Sequence, residues 1–320
     1  MRSLGAGLRR EPGALFAYVA LVVVVVLWVV RTPSLTPDTL AFTIAGRLPL
    51  VLAACGMAIV LISRGIDLSV GSMVAVANVV IARGGDLVGS PWLAALLALL
   101  LTAAIGLVNG LLIGLLELPA LVVTLATGSV ATGLALYISP NPGGHVPVEF
   151  SNVSITLIGP VPLALLLAFL VPLVIWYPIR RSRAGFALLA VGGDEAAAFV
   201  SGLKPWRSRA LAYLLSGTFA GLAGVFLTMA ASSGDAKIGA PYTLNAIAAA
   251  VLGGVALTGG RGSIAGAIGG ALTLSFITNL LFSWGLNSYW QYVATGVILI
   301  AVVGVPYLLT QLRSRKAVAP

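Results

Sequence analysis

The chain has 320 residues and a net charge of +9; 59% of its residues are hydrophobic and only 8% are charged. Because soluble domains usually carry about 25% charged residues, this composition excludes a soluble protein, and repeated apolar runs of about twenty residues predict several membrane spans. The positive charge could also indicate a nucleic-acid partner. No basic face or aromatic stacking platform accompanies it, so we expect no nucleic acid to bind.

The first apolar run, residues 14–30, is predicted to be a membrane span rather than a secretion signal. It follows Arg2, Arg9 and Arg10, as a signal would, but it is long for a signal core and no small-x-small cleavage site follows it. The only cysteine, Cys55, lies within the next apolar run, so no disulfide can form within the chain.

Ten spans are predicted, in a single all-α polytopic membrane domain that covers residues 1–320. The third and eighth are short, so we expect them to be tilted, partial or broken. A tail of residues 1–13, a central loop of residues 180–209 and a tail of residues 310–320 lie outside the spans. The spans fall at residues 14–30, 48–63, 68–82, 92–115, 119–138, 160–178, 209–231, 244–258, 264–282 and 290–309.

The distribution of basic residues predicts the orientation of these spans. Ten crossings place both termini on one side of the membrane, and fourteen of the eighteen Lys and Arg residues fall on that side, six of them in the central loop. Only Arg31, Arg47, Arg83 and Lys237 fall on the other side. Cytoplasmic loops carry such an excess of positive charge, so the termini and the central loop are predicted to be cytoplasmic.

Within the central loop, a short helix with glycines at both ends is predicted over Gly192–Gly202, GGDEAAAFVSG. Asp194 can cap its start, and Glu195 suits the first turn, where the helix dipole favours an anion. Ala196 and Ala197 are strong helix formers of little bulk. A small, smooth helix of this kind could dock into a groove of a soluble partner, and we expect that partner to move the membrane domain through it.

Two loops face the opposite side of the membrane in this topology, residues 139–152 and 232–242. Proline and glycine make the first a turn-rich surface loop. It carries His145, the only histidine, which no cluster of Cys, Asp or Glu accompanies, so we expect no metal site. Together the two loops could form a landing surface for an extracytoplasmic partner.

The predicted spans carry neutral polar side chains and no ionisable residue near their middle. Arg64, Asp67 and Glu117 fall at span ends, which disfavours a proton- or sodium-driven carrier. Amides and hydroxyls within the spans could line a path for a neutral, hydroxyl-rich solute, or they could equally bond helix to helix. The path candidates are Asn78, Asn109, Thr124 and Asn245.

The sequence predicts neither catalytic residues nor a cofactor bound by this chain. The nearest approach to a phosphate-binding loop, GVALTGGR at residues 254–261, lacks the Gly-Lys-Ser/Thr ending that such a loop requires. No nucleophile–base pair and no paired carboxylates cluster in the sequence. We therefore expect no enzyme activity, and we expect any energy from ATP and its Mg²⁺ to come through a partner subunit.

Four stretches of the sequence, which follow one another in the order found in the family, resemble a known family of membrane permeases. The loop GGDEAAAFVSG resembles the EAA-type coupling loop of ABC importer permeases. More specifically, residues 45–305 are similar to the ribose/xylose/arabinose/galactoside-type sugar permeases. The likeness is carried by RGIDLSVGSMVAVANVV at 64–80, NGLLIGLLELPALVVTLATGSVATGLAL at 109–136, RAGFALLAVGGDEAAAFVSGL at 183–203 and LNAIAAAVLGGVALTGGRGSIAGAIGGAL at 244–272.

The resemblance implies a bacterial inner-membrane subunit that pairs with a second permease copy or paralogue, a cytoplasmic ABC ATPase and an extracytoplasmic sugar-binding protein. Substrate would pass from the binding protein into a path between the two permeases, and ATP binding and hydrolysis would switch its access. Matched by position, the coupling loop contains Asp194, Glu195, Ala196, Ala197 and Gly202, a structural turn contains Asp67, Ser69 and Gly71, and the fourth and fifth spans contain Asn109, Pro119 and Thr124.

Two residues of the coupling loop depart from the family pattern. Asp194 stands where the family often has Asn, and Phe199 stands where it usually has a basic residue. Phe199 makes the loop more apolar, so the ATPase surface it meets would differ accordingly. A permease for nucleosides or branched-chain amino acids is the near alternative, since related permeases share these features, and a stand-alone channel or facilitator is the alternative from another class.

Overall fold

The computed structural model describes residues 12–32 and 35–285, together with isolated positions between 287 and 304. The eighth helix is preceded by a 3₁₀ turn, Val153–Ile155, and by an antiparallel hairpin of strands β1 (Leu157–Ile158) and β2 (Val161–Pro162). The helices are α1 (Pro12–Arg31), α2 (Pro37–Ala45), α3 (Leu48–Ile62), α4 (Val70–Leu87), α5 (Pro91–Leu115), α6 (Ala120–Ile138), α7 (Val148–Asn152), α8 (Leu163–Arg181), α9 (Arg183–Gly193), α10 (Glu195–Val200), α11 (Pro205–Ala231), α12 (Ala240–Leu252) and α13 (Ile264–Ser283).

Eight stretches of the described chain are helical, long and apolar enough to cross a membrane, which confirms the predicted all-α polytopic fold. They are α1, α2 joined to α3, α4, α5, α6, α8, α11 and α13. The second begins at Pro37, well before the predicted start at residue 48, because only Gly46 and Arg47 separate α2 from α3. Eleven of the twenty residues of the predicted tenth span (290–309), most of the N-terminal tail (1–13) and all of the C-terminal tail (310–320) lie outside the described residues.

The two spans predicted to be short behave differently. Helix α12 has 13 residues and, at 1.5 Å per residue, is about 20 Å long, less than the roughly 30 Å of a bilayer core. It is therefore a partial span, followed by irregular chain through residues 253–263. Helix α4 has 18 residues and is long enough to cross. Its predicted span, residues 68–82, is placed too early, because residues 63–69 are not helical.

The central segment, residues 180–209, is more helical than predicted. Helix α8 extends to Arg181 and α11 begins at Pro205, and two helices, α9 and α10, fill most of the space between them. The sequence suggested only the second of these. Helices α3, α5 and α12 end, and α11 begins, at the same end of the bundle, which we call the 180–209 end. We call the opposite end of the bundle the far end.

The bundle is centred on α3, all 15 residues of which are buried. Glycine allows neighbouring helices to approach closely. A methyl group added to Gly110 of α5 would lie 2.6 Å from the Cα atom of Ala210 in α11, and one added to Gly114 would lie 2.9 Å from that of Trp206. Small residues spaced four apart are a common packing device in membranes, and here they join α5 to α11 along most of their length.

Candidate functional site

Helix α10 forms within the predicted segment, with the predicted cap. The Asp194 Oδ1 atom accepts a hydrogen bond of 3.0 Å from the backbone N–H of Ala197. At the other end, Gly202 has a φ of +82° and donates its N–H to the carbonyl oxygen of Phe199 at 2.9 Å. Gly192 and Gly193, predicted to begin this helix, instead end α9, so a single residue, Asp194, joins the two helices.

One side of α10 presents an apolar surface. Ala196 and Ala197 are exposed, and the side chains of Phe199 and Val200 are 68% and 86% exposed, whereas Ala198 is buried against the bundle. Large apolar side chains exposed side by side indicate an interaction surface. This one lies at the 180–209 end, outside the helices that could span a membrane.

The start of α10 is tied to α11 by an ion pair. The Glu195 Oε2 atom lies 2.6 Å from Nη2 of Arg209, and the two side chains are 36% and 25% exposed. A cleft of about 640 Å³ lies beside the pair, between α10, the start of α11 and the end of α5. Its lining includes Arg64, Glu117, Asp194, Phe199 and Trp206.

Residues 63–69 form a helix break built around a buried aspartate. Asp67 is fully buried, and its Oδ1 atom accepts hydrogen bonds from the N–H of Ser69 at 2.9 Å and from the Oγ of Ser69 at 2.6 Å. Ser216 of α11 donates to Oδ2 at 2.7 Å, and the hydroxyl of Tyr213 donates to the carbonyl oxygen of Ile66 at 3.1 Å. Irregular backbone inside a membrane protein needs such internal partners.

Two further residues that were singled out in the sequence, Gly71 and Asn109, lie at the edge of the same break. The N–H of Gly71 donates to Oγ1 of Thr243 at 3.1 Å, so α4 begins against the start of α12. Asn109 of α5 is fully buried and donates from Nδ2 to the Oγ of Ser69 at 3.0 Å. Its Oδ1 atom is buried and has no hydrogen-bond partner in the described part of the chain.

A second break, residues 253–263, lies between α12 and α13 and is held mainly by backbone. Four glycines in it have positive φ, and the N–H of Ala256 donates to the carbonyl oxygen of Arg261 at 3.1 Å. In the fold the two breaks touch, because Arg64 donates from Nε to the carbonyl oxygen of Thr258 at 3.0 Å.

The other path candidates are Asn78, Thr124 and Asn245. Asn78 is fully buried near the far end, where it donates to Thr228 Oγ1 and to the carbonyl oxygen of Ser233 and accepts from the N–H of Asp235. Thr124 is also buried, and its hydroxyl donates within its own helix, to the carbonyl oxygen of Ala120. Asn245 is half-buried on α12. The four candidates thus sit on four different helices.

The two loops at the far end meet, as a shared landing surface would require. Gly143 and Gly234 exchange backbone hydrogen bonds of 2.8 Å. Arg83 of α4 donates to the carbonyl oxygen of Asn141 at 3.0 Å, and exposed His145 lies 3.2 Å from Asp86. Within the described residues, no group of three or more His, Cys, Asp or Glu side chains could hold a metal ion.

Arg47 contradicts the expectation that no ionisable residue lies near the middle of a span. It was placed on the side opposite the termini, just before the span predicted to start at residue 48, but it lies well inside the apolar stretch Pro37–Ile62. Its guanidinium donates to Oδ1 of Asn279 in α13, and its buried Nε has no partner among the described residues. The local sequence signal was mixed, because mostly apolar residues lead from Leu40 to Arg47, whereas Gly46 and Pro49 favour a boundary there.

The family of the chain is established by comparison with known proteins. A family model described as the permease component of branched-chain amino acid transport systems matches residues 40–303. This match includes both helix breaks, α9, α10 and the helices that surround them. No solved structure matches the chain.

Curated relatives match over most of their length. The ribose import permease protein of Bacillus subtilis is 36% identical over 260 residues, which are 79% of each chain. The ribose import permease protein of Escherichia coli K12 is 34% identical over 258 residues, 78% of this chain and 79% of the relative. The L-arabinose transport system permease protein of E. coli K12 is 35% identical over 259 residues, 79% of this chain and 77% of the relative. These matches and the eight apolar helices show that the chain belongs to this family of multi-pass transport permeases, as its sequence resemblance implied.

Proposed function

We propose that the chain is the membrane-spanning subunit of an ATP-driven, binding-protein-dependent importer for a monosaccharide such as a pentose or hexose. Its relatives from B. subtilis and E. coli are named for ribose and L-arabinose, and the family model covers both breaks and α10. The chain itself would bind no cofactor and hydrolyse no ATP. ATP and Mg²⁺ would be held by a separate cytoplasmic ATPase.

The observation that carries this proposal is the exposed apolar surface of α10. Its ends are set by Asp194 and Gly202, and its start is fixed to α11 by the pair of Glu195 and Arg209. A partner with two conformations can drive a second protein only if it binds that protein's states differently. A short helix with fixed ends, whose exposed face carries Phe199, is suited to such binding.

The proposed orientation places the termini and residues 180–209 in the cytoplasm, with the far-end loops outside. The excess of Lys and Arg on the 180–209 side supports this orientation. A sugar-binding protein would then dock on the surface where Gly143 meets Gly234, and a second permease copy or a paralogue would complete the path. The location would be a bacterial inner membrane.

The test is uptake of radiolabelled sugar by proteoliposomes that contain the chain, its ATPase and its binding protein. Glu195→Arg breaks the pair and places two cations together. Since partly exposed ion pairs contribute up to about 1 kcal/mol, we expect ATP-dependent uptake to fall about fivefold or more with membrane insertion intact. The exchanged variant, Glu195→Arg with Arg209→Glu, restores the pair and should recover uptake.

Two results would contradict the proposal. Unchanged uptake in Glu195→Arg would remove the role of α10, and uphill uptake by the chain without any ATPase would indicate a self-powered carrier. The assay also tests orientation, because uptake should require the ATPase on the face that carries residues 180–209 and the binding protein on the other face.

A second substrate class is favoured by the description of the family model, which names branched-chain amino acid transport. The same proteoliposomes separate the two candidates. ATP-dependent uptake of radiolabelled ribose or arabinose but not of radiolabelled leucine supports the sugar, whereas uptake only of radiolabelled leucine or valine supports the amino acid. A stand-alone channel would let solute equilibrate without ATP in either case.

A further inference from the structure

We propose that three backbone segments, at Ile62, Gly192 and Gly260, form a joint that carries the movement of α10 to both helix breaks. This inference rests on the proposed function, in which a partner moves α10. It goes further by naming the residues through which that movement reaches the membrane helices. We call these three residues the glycine joint.

The joint is made by main chain without intervening side chains. The N–H of Gly260, in the second break, donates to the carbonyl oxygen of Ile62, the last residue of α3, at 2.9 Å. Gly192, near the end of α9, is buried beside both. A methyl group on Gly192 would overlap the Ile62 carbonyl oxygen and would lie 3.1 Å from the Gly260 nitrogen.

Such a contact is stiff, which is why it can transmit movement. Side chains absorb small displacements by changing rotamer, but close-packed main chain has no such freedom and passes strain on. Only Asp194 separates the end of α9 from the start of α10. Because a single residue can absorb little movement, a displacement of α10 also displaces Gly192.

From Gly192 the contact reaches both breaks. Ile62 immediately precedes residues 63–69, where Asp67 is fixed to Ser69 and to Ser216 of α11. Gly260 lies within residues 253–263, between α12 and α13. Arg64 adds a side-chain link, since its Nε atom donates to the carbonyl oxygen of Thr258 at 3.0 Å. Moving one break thus moves the other.

The chain provides a matched pair of variants at adjacent positions. Gly192 and Gly193 both belong to α9, but a methyl group on Gly193 would have nothing within 4 Å. Gly192→Ala therefore pushes apart the main-chain contact with Ile62, whereas Gly193→Ala fills open space on the same helix. Both substitutions have the same chemistry and the same effect on intrinsic helix propensity.

The first measurement is amide hydrogen exchange of the purified chain, which requires no transport. We expect Gly192→Ala to speed exchange in residues 63–69 and 253–263 together, and Gly193→Ala to leave both as in the unaltered chain. If Gly192→Ala fails to fold, Arg64→Gln takes its place, because it removes only the exposed link to Thr258. If amide exchange in these two segments is the same in all the folded variants as in the unaltered chain, the proposal that the joint links the two breaks is overturned.

The second measurement is the amount of solute moved per ATP hydrolysed in the full complex. Coupling between sites is commonly worth a factor of about five or more, so we expect at least that fall in the ratio for Gly192→Ala, a smaller one for Arg64→Gln and none for Gly193→Ala. ATP hydrolysis that continues while uptake falls separates lost coupling from lost assembly.

The outcomes distinguish this inference from the proposed function. If the unaltered complex shows no ATP-dependent uptake, the proposed function fails, and the exchange measurement alone decides whether the joint links the two breaks. If uptake is normal and Gly192→Ala keeps the ratio of the unaltered chain, the joint does not transmit movement and the inference is overturned.

Discussion

The break between α3 and α4 spans residues 63–69, and the break between α12 and α13 spans residues 253–263. Both come after one apolar helix and lead into another that is rich in glycine and alanine. In the first, polar side chains hold the chain, with Asp67 at the centre. In the second, backbone bonds and positive-φ glycines do so, at Gly254, Gly259, Gly260 and Gly262.

The difference teaches that a membrane protein can satisfy an irregular segment in two ways. A buried carboxylate with several donors fixes one conformation, because removing it leaves each donor unpaired. Glycine permits turns that other residues resist, and its small size lets neighbouring backbone approach. We therefore expect the first break to be sensitive to lost hydrogen bonds and the second to be sensitive to added atoms.

The largest effect is expected from Asp67→Ala, which should destabilise the first break. The substitution leaves the N–H and hydroxyl of Ser69 and the hydroxyl of Ser216 without their acceptor, and each unpaired buried group costs about 1–3 kcal/mol. We expect a loss of about 3 kcal/mol or more of folding stability. The chain supplies its own probe, because its single cysteine, Cys55, is fully buried and reacts with a thiol-specific dye only on unfolding.

Two further variants show whether the buried acceptor causes this effect. Asp67→Asn keeps the shape and one acceptor oxygen, so the unfolding temperature should fall by less than in Asp67→Ala. Asp38→Ala removes an exposed carboxylate from the start of α2 and should change stability by no more than about 0.5 kcal/mol. Equal unfolding temperatures for all three would show that Asp67 does not hold the break.

A smaller but clear effect is expected from Gly262→Ala in the second break. Gly262 has a φ of +129°, and an added methyl group would lie 2.7 Å from the Cα atom of Val255. Backbone strain of this kind costs about 1–3 kcal/mol. We expect the Cys55 dye reaction to begin at a lower temperature than in the unaltered chain.

The matched control is Gly133→Ala, in the middle of α6. A methyl group there has nothing within 4 Å, and alanine is a better helix former than glycine by up to about 1 kcal/mol. The control should be neutral or stabilising. A Gly262→Ala variant as stable as Gly133→Ala would mean that the second break has more freedom than its contacts indicate.

The sequence predicted the helical class and α10 because each rests on local chemistry. Long apolar runs indicate spans wherever they occur, and Asp194 with Gly202 marks the ends of a helix from its own neighbours. The family resemblance also implied a turn at the first break, containing Asp67, Ser69 and Gly71. Its partners were not, because Ser216 lies far away in the chain and meets Asp67 only after α11 packs against α3.

Features that depend on contact between distant segments could not be read in advance. Gly192 was interpreted as the start of a helix, yet it ends α9 and touches Ile62 and Gly260. Arg47 was placed on the side opposite the termini, just before the span predicted to start at residue 48, yet it lies inside the stretch Pro37–Ile62 and its partner, Asn279, comes from α13. In both cases the local pattern was ambiguous, and packing between distant helices decided the outcome.

The smallest effect is expected at the edge of the first break, from Asn109→Leu. Leucine has a similar size, removes the buried Oδ1 atom that has no partner among the described residues and loses only the donor to Ser69. Ser69 still donates to Asp67. Because a neutral hydrogen bond contributes about 1 kcal/mol and an unpaired group costs a similar amount, the two changes should nearly cancel.

Unfolding temperature and sugar uptake, measured on the same Asn109→Leu preparation, then separate the two roles open to this residue. If Asn109 only joins α5 to the break, both should stay close to those of the unaltered chain. Uptake that falls at an unchanged unfolding temperature would place the amide on the solute path. A fall in unfolding temperature as large as that of Asp67→Ala would show that Asn109 holds the break as firmly as the aspartate, contrary to its single hydrogen bond to Ser69.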